Sequence, residues 1–202
     1  MELWLSTRKP EYGQTLLDAR KEIIARIDAV GWAVGRVLGM IKDPTFVEEV
    51  RGAVSQSFAK TTERQRATPF GVPYRPYIWG AGWTIQRFGV EQYFLHRAFP
   101  DIVGPEYMLN ALNFVLGVHP GENTASFASG VGARSATIAY GFNRADWSYI
   151  PGGVVSGTAL IRPDFAELKE FPFLWQQMEY VMGGGSSNNM FLVLAADQVL
   201  NK

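Results

Sequence analysis

The densest mixture of polar and aromatic side chains in the sequence is the run Tyr140-Gly141-Phe142-Asn143-Arg144-Ala145-Asp146-Trp147-Ser148-Tyr149. Trp and Tyr rings stack on the apolar faces of pyranoses, while Asn, Arg and Asp make directed hydrogen bonds to hydroxyls. The run therefore has the chemistry of a sugar site, with Asn143, Arg144, Asp146, Trp147 and Tyr149 as contacts. It also fits a packed loop held by Trp147 and an Arg144–Asp146 interaction. Arg134 follows the Gly130–Gly132 turn and could reach a sugar or a carboxylate. Trp79 and Trp83 lie one helical turn apart, a spacing met in cores as well as in sugar platforms, whereas Trp32 and Trp175 read as core. Glu179 stands among apolar and aromatic neighbours in Gln176-Gln177-Met178-Glu179-Tyr180, which could raise its carboxyl toward the range of a general acid. A solvated or ion-paired helix glutamate is the other reading. Glu167 and Glu170, beside Lys169, read as a solvated surface run. Gly183-Gly184-Gly185-Ser186 has the look of an anion-binding loop but lacks the lysine and the preceding strand of a phosphate loop.

Composition narrows the chemistry. The chain has 202 residues, 47% hydrophobic and 19% charged, which suits one domain or the larger part of one and a sizeable core. Lys+Arg and Asp+Glu both number 19, so there is no basic surplus of the kind a nucleic-acid binder carries. There is no cysteine, which excludes disulfides, thiol catalysis and cysteine-held zinc. The two histidines, His96 and His119, argue against a histidine-built metal site or a Ser-His-Asp triad. No apolar run approaches the ~20 residues of a membrane span. Met1–Thr7 is not a signal peptide and reads as the last turn of an amphipathic helix.

Helical elements must position these groups. Apolar residues recur at helical spacing from Glu11 to about Ile27, and Val30–Ile41 reads as a buried, glycine-bearing helix. Asp43-Pro44 opens a further helix with Asp as N-cap, directing Phe46, Val47, Val50, Val54 and Phe58 inward. After a loop from Thr68 to Pro76, helices are expected from about Trp79 to Ala98 and from Pro105 to Leu116. Five helical segments in series argue for an all-α array. From Gly117 to Arg162 no period is sustained, and this stretch is expected to be an active-site loop region with short strands at Ser135–Tyr140 and Val154–Ala159. A last apolar helix runs from Ser187 to Leu200 with Ser186 or Ser187 as N-cap.

Several stretches resemble glycoside hydrolase family 9. Ala111–Gly132 (ALNFVLGVHPGENTASFASGVG) is similar to that family's helix ending in "YLLGxNP" followed by "SFVTGFG", with Phe114, Leu116, Gly117, Pro120, Ser126, Phe127, Ser129, Gly130 and Gly132 at matching places. Pro151–Gly157 (PGGVVSG) is similar to "PGGLVGGP", Trp79-Gly80 resembles the "WGSN" helix start, and Val30-Gly31-Trp32 resembles a helix of bacterial members. The resemblance runs from about Leu3 to Leu200. It implies an (α/α)6 barrel of the six-hairpin type, of which this chain would hold the C-terminal half, the N-terminal half being absent.

The resemblance also implies inverting hydrolysis of β-linked polysaccharides such as cellulose-like glucans. One carboxyl protonates the leaving oxygen and a second, about 6.5–9.5 Å away, activates water. Glu179 is the candidate acid, followed by small residues and Asn188, at a longer spacing than the family's. The family's base aspartate lies in its N-terminal half and has no counterpart here. A helix N-terminus facing the cleft makes Trp79 a subsite candidate. Asn143 stands where a histidine is usual, so the glycan need not be cellulose, and His119 replaces the asparagine of the "GxNP" turn, where it is expected to hydrogen-bond rather than ligate metal. The residues imply no cofactor, and whether calcium supports a loop is not legible in them. The expected partners are a poly- or oligosaccharide, without nucleic acid or membrane, and either a missing N-terminal half or a second copy on an exposed helix face. The chain carries no export signal, although the family acts outside the cytoplasm. Two other readings stand beside hydrolysis: a non-catalytic carbohydrate-binding protein and a helical scaffold for a protein partner.

Overall fold

In the computed structural model the described residues are 1–73, 80–119, 124–135, 139–140, 147–157, 179–181 and 183–201. They are mostly helical, and the expected all-α class holds for them. The chain divides into two compact units, Met1–Arg64 with Glu91–Pro105, and Gln65–Val90 with Glu106–Lys202.

The first unit is built on helices whose apolar stripes meet in one core. α1 (Glu2–Thr7), α2 (Pro10–Asp18), α3 (Arg20–Ala25) and α4 (Ile27–Gly35) follow one another, and a 3-10 turn spans Leu38–Met40. The single helix expected from Glu11 to Ile27 is thus divided, with breaks at Ala19 and Arg26; nothing in the local sequence accounts for them. The helix expected over Val30–Ile41 likewise ends at Gly35. α5 (Pro44–Arg66) starts where the sequence marks it: Asp43 Oδ1 accepts the Phe46 N–H at 3.0 Å, a cap that stabilises a helix by about 1 kcal/mol. Phe46, Val50 and Val54 of α5 are buried with Trp4, Val34, Val37, Phe99 and Val103. Burying each such side chain is worth roughly 1.5–3 kcal/mol, well above what the surrounding exposed ion pairs supply. Trp32, expected as core, is half-buried, with its ring 5.8 Å from that of Phe94.

α6 (Gln86–Ala98) is preceded by a π-helical turn, Gly80–Ile85, where a regular helix from Trp79 was expected. In the second unit that turn packs with α7 (Glu106–Val115) and α8 (Gly184–Leu200). α8 begins before the expected caps. Its N-cap is Gly183, at φ 57°, a backbone region open to glycine. Ser186 instead donates its hydroxyl to Val181 O at 3.0 Å. Of the strand expected at Ser135–Tyr140, the described residues show a bridge at Ser135 and the two-residue β1 (Ala139–Tyr140), which pairs antiparallel with β2 (Trp147–Ser148). Of the strand expected at Val154–Ala159, the described residues show bridges at Val154 and Val155. Among the described residues no helix is long and apolar enough to cross a membrane.

Candidate functional site

Three extended segments, far apart in sequence, meet in the second unit. Ala128 bridges Val154, and Val155 bridges Tyr180, both antiparallel. The backbone bonds are short: Val155 N to Phe127 O 2.9 Å, Ser129 N to Gly153 O 2.8 Å, Val181 N to Val154 O 2.8 Å and Ser156 N to Glu179 O 3.0 Å. Phe127 N donates to Val115 O at 2.9 Å, anchoring the group to the end of α7. Phe127, Ala128, Val154, Val155, Tyr180 and Val181 are buried together with Phe114 and Val115. The apolar runs of these segments therefore form core, and their backbones supply one another's hydrogen bonds in place of a helix.

Glu179 is half-buried at the edge of this group. It lies on an extended segment and not on the helix expected there. Tyr180 beside it pins two loops: its hydroxyl lies 2.8 Å from Ser129 Oγ and accepts the Ile150 N–H at 3.1 Å. Side chains alternate along an extended segment, so Glu179 shares a side with Val181. That is the side of the π-helical turn. A Cβ on Gly82 would lie 2.9 Å from Val181 Cγ2 and 2.7 Å from Val155 O, and Gly82 N donates to Ser156 O at 3.0 Å. Only glycine permits this approach.

Two of the expected sugar contacts, Tyr149 and Arg134, lie on described loops of this unit. Tyr149 is 52% exposed and its hydroxyl lies against Gly130, whose φ of 72° turns the chain there. Arg134 is exposed on the same turn, where its carbonyl accepts the Ser126 N–H at 2.9 Å and Ser135 Oγ accepts the Gly130 N–H at 2.9 Å. Gly152 N bonds Ser129 O at 2.7 Å, which ties the end of the 140–149 run to that turn. Trp147 has its backbone paired with Tyr140 in the β1–β2 ribbon. Trp79, Asn143, Arg144 and Asp146 lie outside the described residues, as do Glu167, Glu170 and Trp175.

Trp83 is the residue that sequence reasoning passed over in favour of Trp79. It sits on the π-helical turn with 37% of its surface exposed, and a Cβ on Gly184 would come 3.2 Å from its ring. Its four-residue spacing from Trp79 marked it as core as readily as platform. Within the glycine tract Gly183–Gly185 it is Gly184 that lets the backbone of α8 approach the indole.

His119 behaves as expected for a structural residue. It is buried, its Nε2 is 2.8 Å from Ala125 O, and its ring stacks on Phe127 at 4.4 Å between centroids. Among the described residues no group of three or more His, Asp or Glu could hold a metal ion. The other carboxylates of the described part of this unit are Glu106, in the first turn of α7, and Asp197, near the end of α8. No family model, curated protein or solved structure matches the chain.

Proposed function

We propose that the second unit is the acid-bearing part of an inverting glycoside hydrolase acting on β-linked glucans, with an (α/α)6 barrel as its complete architecture. One observation carries this reading: the stretches that bear the family resemblance, Ala111–Gly132 and Pro151–Gly157, hydrogen-bond to each other, and the second of them bonds Glu179 through Ser156 N. The segments meet as core, and their meeting beside Glu179 supports a shared site as well. In the proposed step Glu179 donates its proton to the glycosidic oxygen as the C–O bond to the anomeric carbon breaks. Water adds to that carbon from the opposite face and yields its proton to a second carboxylate. Tyr149 and Trp83 offer ring faces to pyranoses, and Arg134 offers donors to their hydroxyls.

The second reading, glycan binding without turnover, is favoured by the carboxylates. Among the described residues of the unit, no acid other than Glu179 belongs to the bridged segments. One experiment serves both readings: reducing-end release from a panel of β-glucans, with oligosaccharide binding measured on the same protein. Hydrolysis that falls by about 10²–10⁴ in Glu179→Gln supports the acid role. Binding that is lost in Tyr149→Ala, with no turnover in any variant, supports the second reading. Equal hydrolysis by Glu179→Gln, or no glycan binding at all, rejects the corresponding reading.

A further inference from the structure

The first unit carries a groove of about 490 Å³, within the size range of small-molecule sites. Its apolar floor is Trp4, Leu17, Met40 and Ile41, and Arg8 and Lys42 stand at its edge. Gly13 shapes the floor. A Cβ there would lie 2.7 Å from the Trp4 ring, so only glycine lets α2 ride on the indole.

The charges around the groove are unevenly matched. Glu2 pairs with Arg36, Glu11 with Lys9, Asp18 accepts from Gln14, and Asp43 pairs with Arg20. Each acid near the groove in sequence is thus engaged elsewhere. Lys42 has no carboxylate partner among the described residues, and neither has Arg8, whose Nη1 rests 2.9 Å from Met40 Sδ, a weak acceptor. Arg8 also holds φ 59°, where the other positive-φ residues described are glycines. It caps α1 through its N–H to Trp4 O at 2.9 Å. Glycine would make that cap at less strain, but would leave no guanidinium at the groove.

We propose that this groove binds a small amphipathic carboxylate, its head paired with Arg8 and Lys42 and its apolar body on Trp4 and Leu17. A guanidinium matches a carboxylate with two parallel N–H···O bonds, and the ammonium adds a second cation. Neither cation need give up an existing ion pair.

The test is calorimetric titration of the full chain with 2-naphthoate and with neutral 2-naphthylmethanol. The carboxylate is expected to bind at least roughly tenfold tighter, and Lys42→Gln to weaken it roughly tenfold. Arg8→Gly should weaken it similarly while unfolding at the same or a higher urea concentration, which separates lost binding from lost fold. Equal affinity for the alcohol, no binding of either probe, or unchanged affinity in both variants would overturn the proposal. So would a concentration-dependent mass in sedimentation that naphthoate leaves unchanged, because a second copy would then cover the groove.

Discussion

The two units bury apolar surface by different means. In the first, each helix satisfies its own backbone, and the core is assembled from side chains such as Val34, Phe46, Val50 and Phe99. In the second, Phe127, Val154, Val155 and Val181 enter the core from extended segments whose backbone groups are satisfied by one another. A helix bundle holds its side chains through many interchangeable dispersion contacts. Segments locked by backbone bonds 2.7–3.0 Å long are placed by partners distant in sequence. The second arrangement tolerates less but fixes positions more tightly. The first unit should therefore be most sensitive to atoms removed, the second to atoms added.

The largest effect is expected from Phe46→Ala. Phe46 is fully buried, and the Arg20 guanidinium lies over its ring at 5.5 Å. Truncation leaves a cavity in this core and should destabilise by about 3–5 kcal/mol. Urea unfolding measures it; a loss below about 1 kcal/mol would mean that the helices close over the gap and that the first unit is loosely packed.

Gly82→Ala adds one methyl where the backbones of Val155 and Ser156 stand 2.7 and 3.0 Å from its position. Backbone cannot rotate away as a side chain can, so a loss of about 1–3 kcal/mol is expected from overpacking. The same protein should bind oligosaccharide less well, because the π-helical turn carrying Trp83 must shift. A neutral result would erase the contrast between the units.

This asymmetry also explains what could be read in advance. The α5 core positions Phe46, Val50 and Val54, the Asp43 cap and the extent of α7 follow from side-chain periodicity and cap chemistry, which the sequence displays directly. The pairing of 126–129 with 153–156 and 179–181 is made by backbone groups that every residue possesses, so no periodic pattern announces it. Its trace was the resemblance of the separate stretches to one family, together with glycines whose reason is closeness and not flexibility. Gly183–Gly185, weighed as an anion-binding loop ahead of a serine-capped helix, is the cap and first turn of α8, with Gly185 pressed against Val181 and Gly82. Glu179, Arg134 and Tyr149 stand out in the sequence as residue types, whereas the exposure of Trp83 and its approach to Gly184 show only in the geometry.

Gly52→Ala is the counterpart of Gly82→Ala in the first unit. A Cβ at Gly52, inside α5, would meet nothing within 4 Å. The substitution should stabilise by roughly 0.5–1 kcal/mol, since glycine loses more backbone freedom than alanine on entering a helix. A rise in the urea midpoint of Gly52→Ala beside a fall in Gly82→Ala would show opposite responses to one methyl. Two falls would mean that α5 is covered on a face that the burial of the first unit leaves open.

The smallest effect belongs to the ion pairs of the first unit. A hydrogen bond from Arg20 holds the Glu49 carboxyl below its ordinary value of 4.5, and one from Arg51 holds Asp101 below 3.8. A carboxyl whose pKa is lower in the folded than in the unfolded chain adds stability that is complete above the unfolded value. That contribution disappears as pH falls through the folded one. The unfolding temperature should therefore hold between neutrality and about pH 5 and decline below the ordinary carboxyl range. Glu49→Gln should lower it slightly at neutral pH and flatten the decline, because the variant has one proton fewer to take up on unfolding at acid pH. Both pairs are partly exposed, so the change is small and should shrink further in high salt. If Glu49→Gln declines as steeply as the parent, the acid sensitivity comes from carboxyls other than the Arg20 partner, Asp101 first among them.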